Sequence, residues 1–322
     1  MRSLGPTGYA ALLITSLTIV VSLVVLAGYF LGQSLQLDVL GMSGVLVLSS
    51  LIVSLVLAAM FLTGSTVVQN LIRTYRSLFR LESLSHPLLT RLQKEAPGTY
   101  HHSIAVAHLA YEAAREIGAN AVLTRVGGYY HDIGKVKNPT YFIENLVGKA
   151  KSPHASIAPQ ESAGIIIKHI IDGMDLARQY QIPKEVIQFI PEHAGTTLVY
   201  FFYQKAKQLQ GGRGVYKRDF RYPGPKPMRK ETALVMLADA VESLARAVKQ
   251  PTKARLAEMV DEAVRIKHAD RQLDLADLSD EDVAAIKESF IRTLQSMHHQ
   301  RIAYPNPAQP IVKHARHAHA PR

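Results

Sequence analysis

Gly-Gly-Tyr-Tyr-His-Asp-Ile-Gly-Lys, residues 127–135, is the stretch on which the reading of this chain turns. An imidazole and a carboxylate side by side at a helix end can both reach one cation. The carboxylate then keeps a second oxygen for another. A His-Asp pair alone arises often by chance, so its setting carries the weight. An apolar helix precedes it, predicted from a cap at Asn120 to about Asp132, and Gly134 frees the chain to turn after it.

Working outward, more candidate ligands lie in helical, apolar surroundings. His102 precedes Ser-Ile-Ala-Val-Ala-His-Leu-Ala, His169 follows Ile165-Ile166-Ile167-Lys168, and His193 follows Phe189-Ile190-Pro191-Glu192. Asp239 sits in Ala-Leu-Val-Met-Leu-Ala-Asp-Ala-Val, a run expected to be buried. An unpaired carboxylate in a core is very costly, so Asp239 needs a partner, either a metal ion or a buried Arg. Each histidine taken singly suits a hydrogen-bonded structural role. Together they supply imidazole and carboxylate ligands for two divalent ions. The chain has no Cys, which excludes disulfides, thiol catalysis and sulfur-ligated zinc or iron–sulfur clusters. The remaining ligand set suits iron or manganese and admits zinc.

The 322 residues carry a formal charge of +11 and a mean hydropathy of +0.04, an average over two unlike materials. Residues 1–70 contain only Arg2 and Asp38 as charged groups, so the whole excess lies in residues 71–322. The stretches 9–31 and 39–63 are uncharged, rich in Leu, Val and Ile, and each is long enough to span a bilayer as a helix. Residues 1–66 are therefore expected to form a transmembrane hairpin, its two spans joined by Gly32-Gln33-Ser34-Leu35-Gln36-Leu37-Asp38. Arg73, Arg76 and Arg80 follow the second span and Arg2 precedes the first. This asymmetry places both termini in the cytoplasm and predicts a multi-pass protein of the cytoplasmic (inner) membrane. Residues 67–96 read as a helical linker, lying against anionic headgroups or packed on the next domain.

From Pro97 onward the periodicity is helical throughout. Thr99 is expected to cap a helix reaching Ile117, with Ile104, Ala107, Ala110, Ala114 and Ile117 on one face. Pro159 and Pro183 mark further helix starts, and helices follow at about 196–209, 230–248, 252–268 and 280–300. Residues 133–158 and 211–229 read as loops. An all-α domain over 97–304 and a disordered His- and Pro-rich tail over 305–322 complete the prediction.

The order His…His-Asp…His…His…Asp resembles the HD-domain metal phosphohydrolases. More closely, the chain looks like the membrane-bound HD phosphodiesterases that hydrolyse cyclic di-AMP, of the seven-transmembrane-receptor HD type. The resemblance is carried by residues 95–103 (EAPGTYHHS), 129–135 (YYHDIGK), 141–145 (YFIEN), 191–197 (PEHAGTT), 220–227 (FRYPGPKP) and 236–242 (MLADAVE). It implies that His102, His131, Asp132 and Asp239 hold one metal, while Asp132 bridges to a second held by His169 and His193. The ions would be two divalent cations, Mn2+ or Fe2+, and a hydroxide bridging them would open cyclic di-AMP to linear pApA. Lys135, one helical turn from the His-Asp pair, would bind a phosphate oxygen. Tyr222 and Lys226 would line the substrate pocket. Glu192 and Glu242 are candidate proton carriers.

Three features depart from that family. Ala194 stands where relatives commonly carry a second His, fewer spans precede the domain, and the HHExxxGxGYP signature of cyclic di-GMP-degrading relatives is absent. Two alternatives stay open, an HD hydrolase of another nucleotide (cyclic di-GMP or (p)ppGpp-like) and a non-catalytic nucleotide-binding membrane receptor. His101 and His108 fall off the face of His102 and read as solvated or as outer neighbours of the ligands, while His298, His299, His314, His317 and His319 read as solvated or as adventitious metal binders. The basic residues Lys217, Arg218, Arg221, Lys226, Arg229 and Lys230 suit an acidic dinucleotide better than a nucleic-acid polymer, which is not expected as a partner. The expected partners are a cyclic dinucleotide and the lipid bilayer. The sequence admits a homo-oligomer without requiring one.

Overall fold

The structure is a computed structural model and describes residues 22–299 apart from 25, 147, 149–150 and 249–250. Most of the expected first span, Arg2 and the 305–322 tail lie outside the described residues. The chain divides into two compact units, Met1–Arg76 and Ser77–Arg322.

In the first unit, α1 (Ser22–Ser34) and α2 (Val39–Glu82) are joined by a tight turn in which Gln36 takes a φ of 49°. Asp38 Oδ1 accepts the Gly41 N–H at 2.8 Å and so caps α2. A single described helical stretch, Val39–Ser65, is long and apolar enough to cross a membrane, with a mean hydropathy of 2.8. Its large side chains, Leu55 and Phe61 among them, point outward. α1 and α2 approach closely through small residues, as a Cβ on Gly28 would stand 2.5 Å from Ser49 Oγ.

The second unit is built of helices. α3 (Pro87–Glu95) and α4 (Pro97–Glu116) each begin at a proline, whose fixed φ suits the first turn. Leu78, Leu81, Leu88, Leu89 and Leu92 all enter the main apolar core, so from Leu78 onward the linker packs on the domain rather than standing apart. α4 is the central helix. Its Ala107, Ala110 and Ala114 are fully buried, and it packs against α5 (Ala121–Tyr130), α10 (Lys230–Arg246) and α12 (Asp280–His299). α6 (Pro159–Gln179), α7 (Lys184–Ile187), α8 (Phe189–Ala194), α9 (Tyr200–Leu209) and α11 (Lys253–Ala269) complete the bundle. Among the described residues the extended chain pairs only at an isolated antiparallel bridge, Leu198 with Arg221.

Three helix limits differ from expectation. α9, expected from about residue 196, begins at Tyr200. Thr99 does not cap α4, because Pro97 starts the helix two residues earlier. Thr99 lies in the first turn, where the Asn145 side chain accepts its otherwise orphaned N–H at 3.0 Å. α5, expected to reach Asp132, ends at Tyr130. His131 keeps helical angles (φ −56°, ψ −34°), and Asp132 turns away (φ −111°, ψ 13°) into a short 3-10 helix, Ile133–Lys137.

That turn is held by Gly134. A Cβ there would lie 1.9 Å from the His169 carbonyl oxygen and 2.6 Å from the Gly173 amide nitrogen, both backbone atoms of α6. Gly134→Ala is therefore expected to cost about 1–3 kcal/mol, as overpacking against rigid backbone does, and to lower the midpoint of thermal unfolding of the full chain.

Candidate metal centre

Four helices and one helix end bring the predicted ligands together. His102 comes from α4, His131 and Asp132 from the end of α5, His169 from α6, His193 from α8 and Asp239 from α10. Asp132 sits at the centre with a side chain only 2% exposed. Its Oδ2 lies 3.6 Å from His102 Nε2 and 3.2 Å from His131 Nε2. Its Oδ1 lies 3.3 Å from His169 Nε2 and 3.6 Å from His193 Nε2. One carboxylate therefore faces a different pair of imidazoles through each oxygen. Asp239 Oδ1 joins the first side, 3.0 Å from His102 Nε2. Its side chain is 29% exposed and marks the side on which the cluster opens.

Each ring is fixed by its other nitrogen. Nδ1 of His131 donates to the Gly128 carbonyl at 2.7 Å, that of His169 to Ile166 at 2.6 Å and that of His193 to Phe189 at 3.2 Å. His102 Nδ1 lies 2.5 Å from Glu242 Oε2. A carbonyl only accepts, so in the neutral form His131, His169 and His193 each aim an Nε2 lone pair inward. Such an outer hydrogen bond is the usual way a ligating imidazole is oriented.

The cluster fits a divalent-metal centre. His131 Nε2, His169 Nε2 and Asp132 Oδ1 are buried with no hydrogen-bond partner among the described residues, a costly arrangement for polar atoms unless something else satisfies them. Three groups have ligand atoms within 4.8 Å of one another. They are His102, His131 and Asp132; His131, His193 and Asp239; and Asp132, His169 and His193. Asp132 belongs to two of them, as a bridging carboxylate would. Ala194 is buried in the apolar core, and the group on the His169 side assembles without a second His there.

Charge around the cluster is strongly coupled. Burial alone would raise the Asp132 carboxyl, but the Lys135 ammonium and His131 hold it well below the usual carboxylate range. Asp239 likewise stays low despite burial, because His102 donates to it. Burial also opposes a charge on His102, yet Asp239 and Glu242 win and raise it to about 9. His193, desolvated and beside His131, is lowered to about 3 and remains neutral.

Lys135 is mostly withdrawn from solvent, its side chain 14% exposed. Its Nζ lies 2.6 Å from Asp132 Oδ2 and 2.9 Å from Glu144 Oε1, and these carboxylates raise its pKa against the burial penalty. Glu144 also accepts from Thr99 Oγ1 at 3.1 Å.

Other expectations fare differently. Tyr222 packs with its ring 6.0 Å from that of His169. Lys226 is half-buried and makes no hydrogen bond or ion pair among the described residues. Glu192 is buried, and its Oε2 accepts from the Met228 N–H at 2.9 Å and Thr232 Oγ1 at 2.7 Å, which ties it to the start of α10. Glu242 instead orients His102. Three of the basic-loop residues are already paired, Arg221 with Asp270 at 2.7 Å, Lys230 with Asp282 at 2.6 Å and Arg218 with its neighbour Asp219 at 3.5 Å. His101 and His108 are exposed, as expected. Sequence reasoning missed the roles of Glu144 and Glu242. The available signal was that a buried Lys and a ligating His each need a carboxylate partner.

The HD domain family matches residues 99–244. The chain is 42% identical over 234 residues to the cyclic-di-AMP phosphodiesterase PgpH of Bacillus subtilis, covering 73% of this chain and 32% of that protein. It is 40% identical over 233 residues to PgpH of Listeria monocytogenes, covering 72% of this chain and 32% of that one. The chain thus spans about a third of the length of these curated relatives. The crystal structure of the L. monocytogenes PgpH HD domain in complex with cyclic-di-AMP superposes with a TM-score of 0.64 at 39% identity, covering 67% of this chain and 99% of that one.

Two outcomes are expected of the metal centre. Glu242→Gln should weaken Mn2+ binding by about 10- to 100-fold, the usual penalty for losing an outer-sphere carboxylate, as read by calorimetric titration of the demetallated full chain. Because the metal-free chain holds a proton on His102 up to about pH 9, the ion must displace it. Affinity should therefore rise about tenfold per pH unit between pH 7 and 9, with a proton released that calorimetry in two buffers of different ionisation enthalpy detects.

Proposed function

The chain belongs to the HD-domain family of the PgpH cyclic-di-AMP phosphodiesterases, and from that premise we propose that it is a membrane-anchored, metal-dependent phosphodiesterase. It adds one water to a phosphorus of cyclic di-AMP, one P–O bond to a ribose oxygen breaks, and linear pApA leaves. The observation that carries this reading is Asp132, a buried carboxylate with each oxygen facing two imidazoles.

His102, His131, Asp132 and Asp239 would hold one divalent cation, and Asp132, His169 and His193 the second, Mn2+ or Fe2+ by ligand type. When bound, such a pair supplies Lewis acidity and a water that ionises at neutral pH. The chain's own residues set the stage for this. The imidazoles are oriented by backbone carbonyls and Glu242. Lys135 spends two of its three N–H donors on Asp132 and Glu144 and keeps the third for a non-bridging phosphate oxygen. The partly exposed Asp239 side admits the phosphodiester, and the buried remainder excludes bulk water. Tyr222 and Lys226 would line the way in.

We place residues 1–66 in the cytoplasmic (inner) membrane as a two-span hairpin with both termini inside. The apolar Val39–Ser65 helix and the close Gly28–Ser49 approach support this reading, together with the arginines that flank the spans. The catalytic domain then faces cytoplasmic nucleotides.

Purified full chain in detergent, charged with Mn2+, should convert cyclic di-AMP to pApA on anion-exchange chromatography. Chelation should stop turnover, and added Mn2+ should restore it. Asp132→Ala should fall to the background rate, and turnover surviving that substitution would sink the mechanism.

A further inference from the structure

His193 has the weakest local support of the candidate ligands. α8, which carries it, spans only Phe189–Ala194, whereas His102, His169 and Asp239 stand inside helices of 20, 21 and 17 residues. A helix that short has few internal hydrogen bonds to fix its direction. The bond from His193 Nδ1 to the Phe189 carbonyl, at 3.2 Å, is also longer than the equivalent bonds of His131 and His169, at 2.7 and 2.6 Å. Something outside α8 must hold this ring in place.

The hold is found just beyond the helix. The chain leaves α8 through Gly195, whose φ of 57° suits glycine, and every polar group of the next residue, Thr196, is then bound. Gln272 Oε1 accepts the Thr196 N–H at 2.9 Å, and Gln272 Nε2 donates to Thr196 Oγ1 at 2.9 Å. Arg221 Nη1 donates to the Thr196 carbonyl at 2.5 Å. Asp270 closes the circle. Its carboxylate accepts from both terminal nitrogens of Arg221, at 2.9 and 2.7 Å, and from Gln272 Nε2 at 2.9 Å.

This ring of four residues ties the connection between α11 and α12, which carries no candidate ligand, to the exit of α8. Gln272 lies 76 residues from Thr196 and is fully buried. It also packs on the residue before Thr196, since a Cβ on Gly195 would stand 2.5 Å from its Oε1. Between Asp270 and Gln272, Arg271 takes a φ of 55°, a left-handed conformation that helix ends usually assign to glycine. The chain accepts that cost at the point from which both neighbours reach the ring.

We infer that Gln272, braced by Asp270 and Arg221, is a positioning residue of the metal centre. It fixes the end of α8 and thereby the aim of His193 Nε2 at Asp132 Oδ1. The inference rests on the two-cation reading above and adds to it the residue that holds the second site in shape.

The test is calorimetric titration of the demetallated full chain with Mn2+, in a cycle of the unaltered chain, Gln272→Ala, His193→Ala and the double variant. Gln272→Ala should weaken by about tenfold the same Mn2+ step that His193→Ala weakens, the lower end of the penalty for losing outer support of a ligand. With His193→Ala already present, Gln272→Ala should change neither step, because two residues acting through one contact do not add. Thr196→Val removes one hydroxyl from the ring and keeps the bond to the backbone N–H. It should show a smaller loss with the same dependence on His193, and it carries the test if Gln272→Ala does not fold. Equal weakening of both steps, no weakening, or the same loss with and without His193 would make the ring a brace of the fold alone and overturn the assignment. An unaltered chain that takes up fewer than two Mn2+ would overturn it too. Coupled loss of Mn2+ in a chain that leaves cyclic di-AMP intact would sustain the assignment and overturn the phosphodiesterase reading instead.

Discussion

The domain is organised around the problem of keeping one carboxylate, Asp132, charged in its interior. Removing an ion from water is expensive, and the expense is met only by close partners of opposite charge or by metal. Here Lys135, three residues along the chain, supplies the opposite charge directly at 2.6 Å. His131, one residue back, and His102, His169 and His193, from three separate helices, set ring nitrogens 3.2–3.6 Å from the carboxylate, the setting in which a shared cation would supply the rest. The fold can be understood as the arrangement that delivers these groups to one point. The helical bundle provides it because α4, α6, α8 and α10 each bring a His or Asp to the point where α5 ends.

The helices alone would not suffice, since the Asp132 side chain must leave the helix axis to face both sets of imidazoles. The end of α5 at Tyr130 and the turn at Asp132 achieve this, and Gly134 lets the following backbone press against α6 close to His169. The position of one ligand is thus coupled mechanically to that of another. Around this core a second set of carboxylates, Glu144 and Glu242, secures Lys135 and His102. The outer carboxylates make the site more than a collection of ligands.

Much of this was visible in the sequence. Helical periodicity revealed the bundle, and polar residues interrupting apolar runs revealed His102, His169, His193 and Asp239, because a buried polar residue is a local anomaly. What stayed hidden was long-range. Glu242 lies 140 residues from the His102 it orients, and nothing near Glu242 in the chain announces that contact. Nothing in residues 141–145 announces a role for Glu144, because its partner Lys135 is brought to it only by the turn after α5. Thr99 was misread for a related reason, since a hydroxyl near a helix start fits a cap by local rules. The true arrangement depends on Asn145, 46 residues away. Glu192 also looked chemical beside His193, yet its partners are Met228 and Thr232 across the bundle.

The raised pKa of His102 bears on how such a protein is made. Between Asp239 and Glu242, its proton contributes a positive charge where a metal ion would otherwise be needed to balance the carboxylates. The chain therefore carries its own placeholder cation. Part of the carboxylate charge in its interior is thereby balanced before any ion is present, and a divalent cation held by these residues would enter by exchange for that proton. On the proposed reading, folding and metal binding are then separable events.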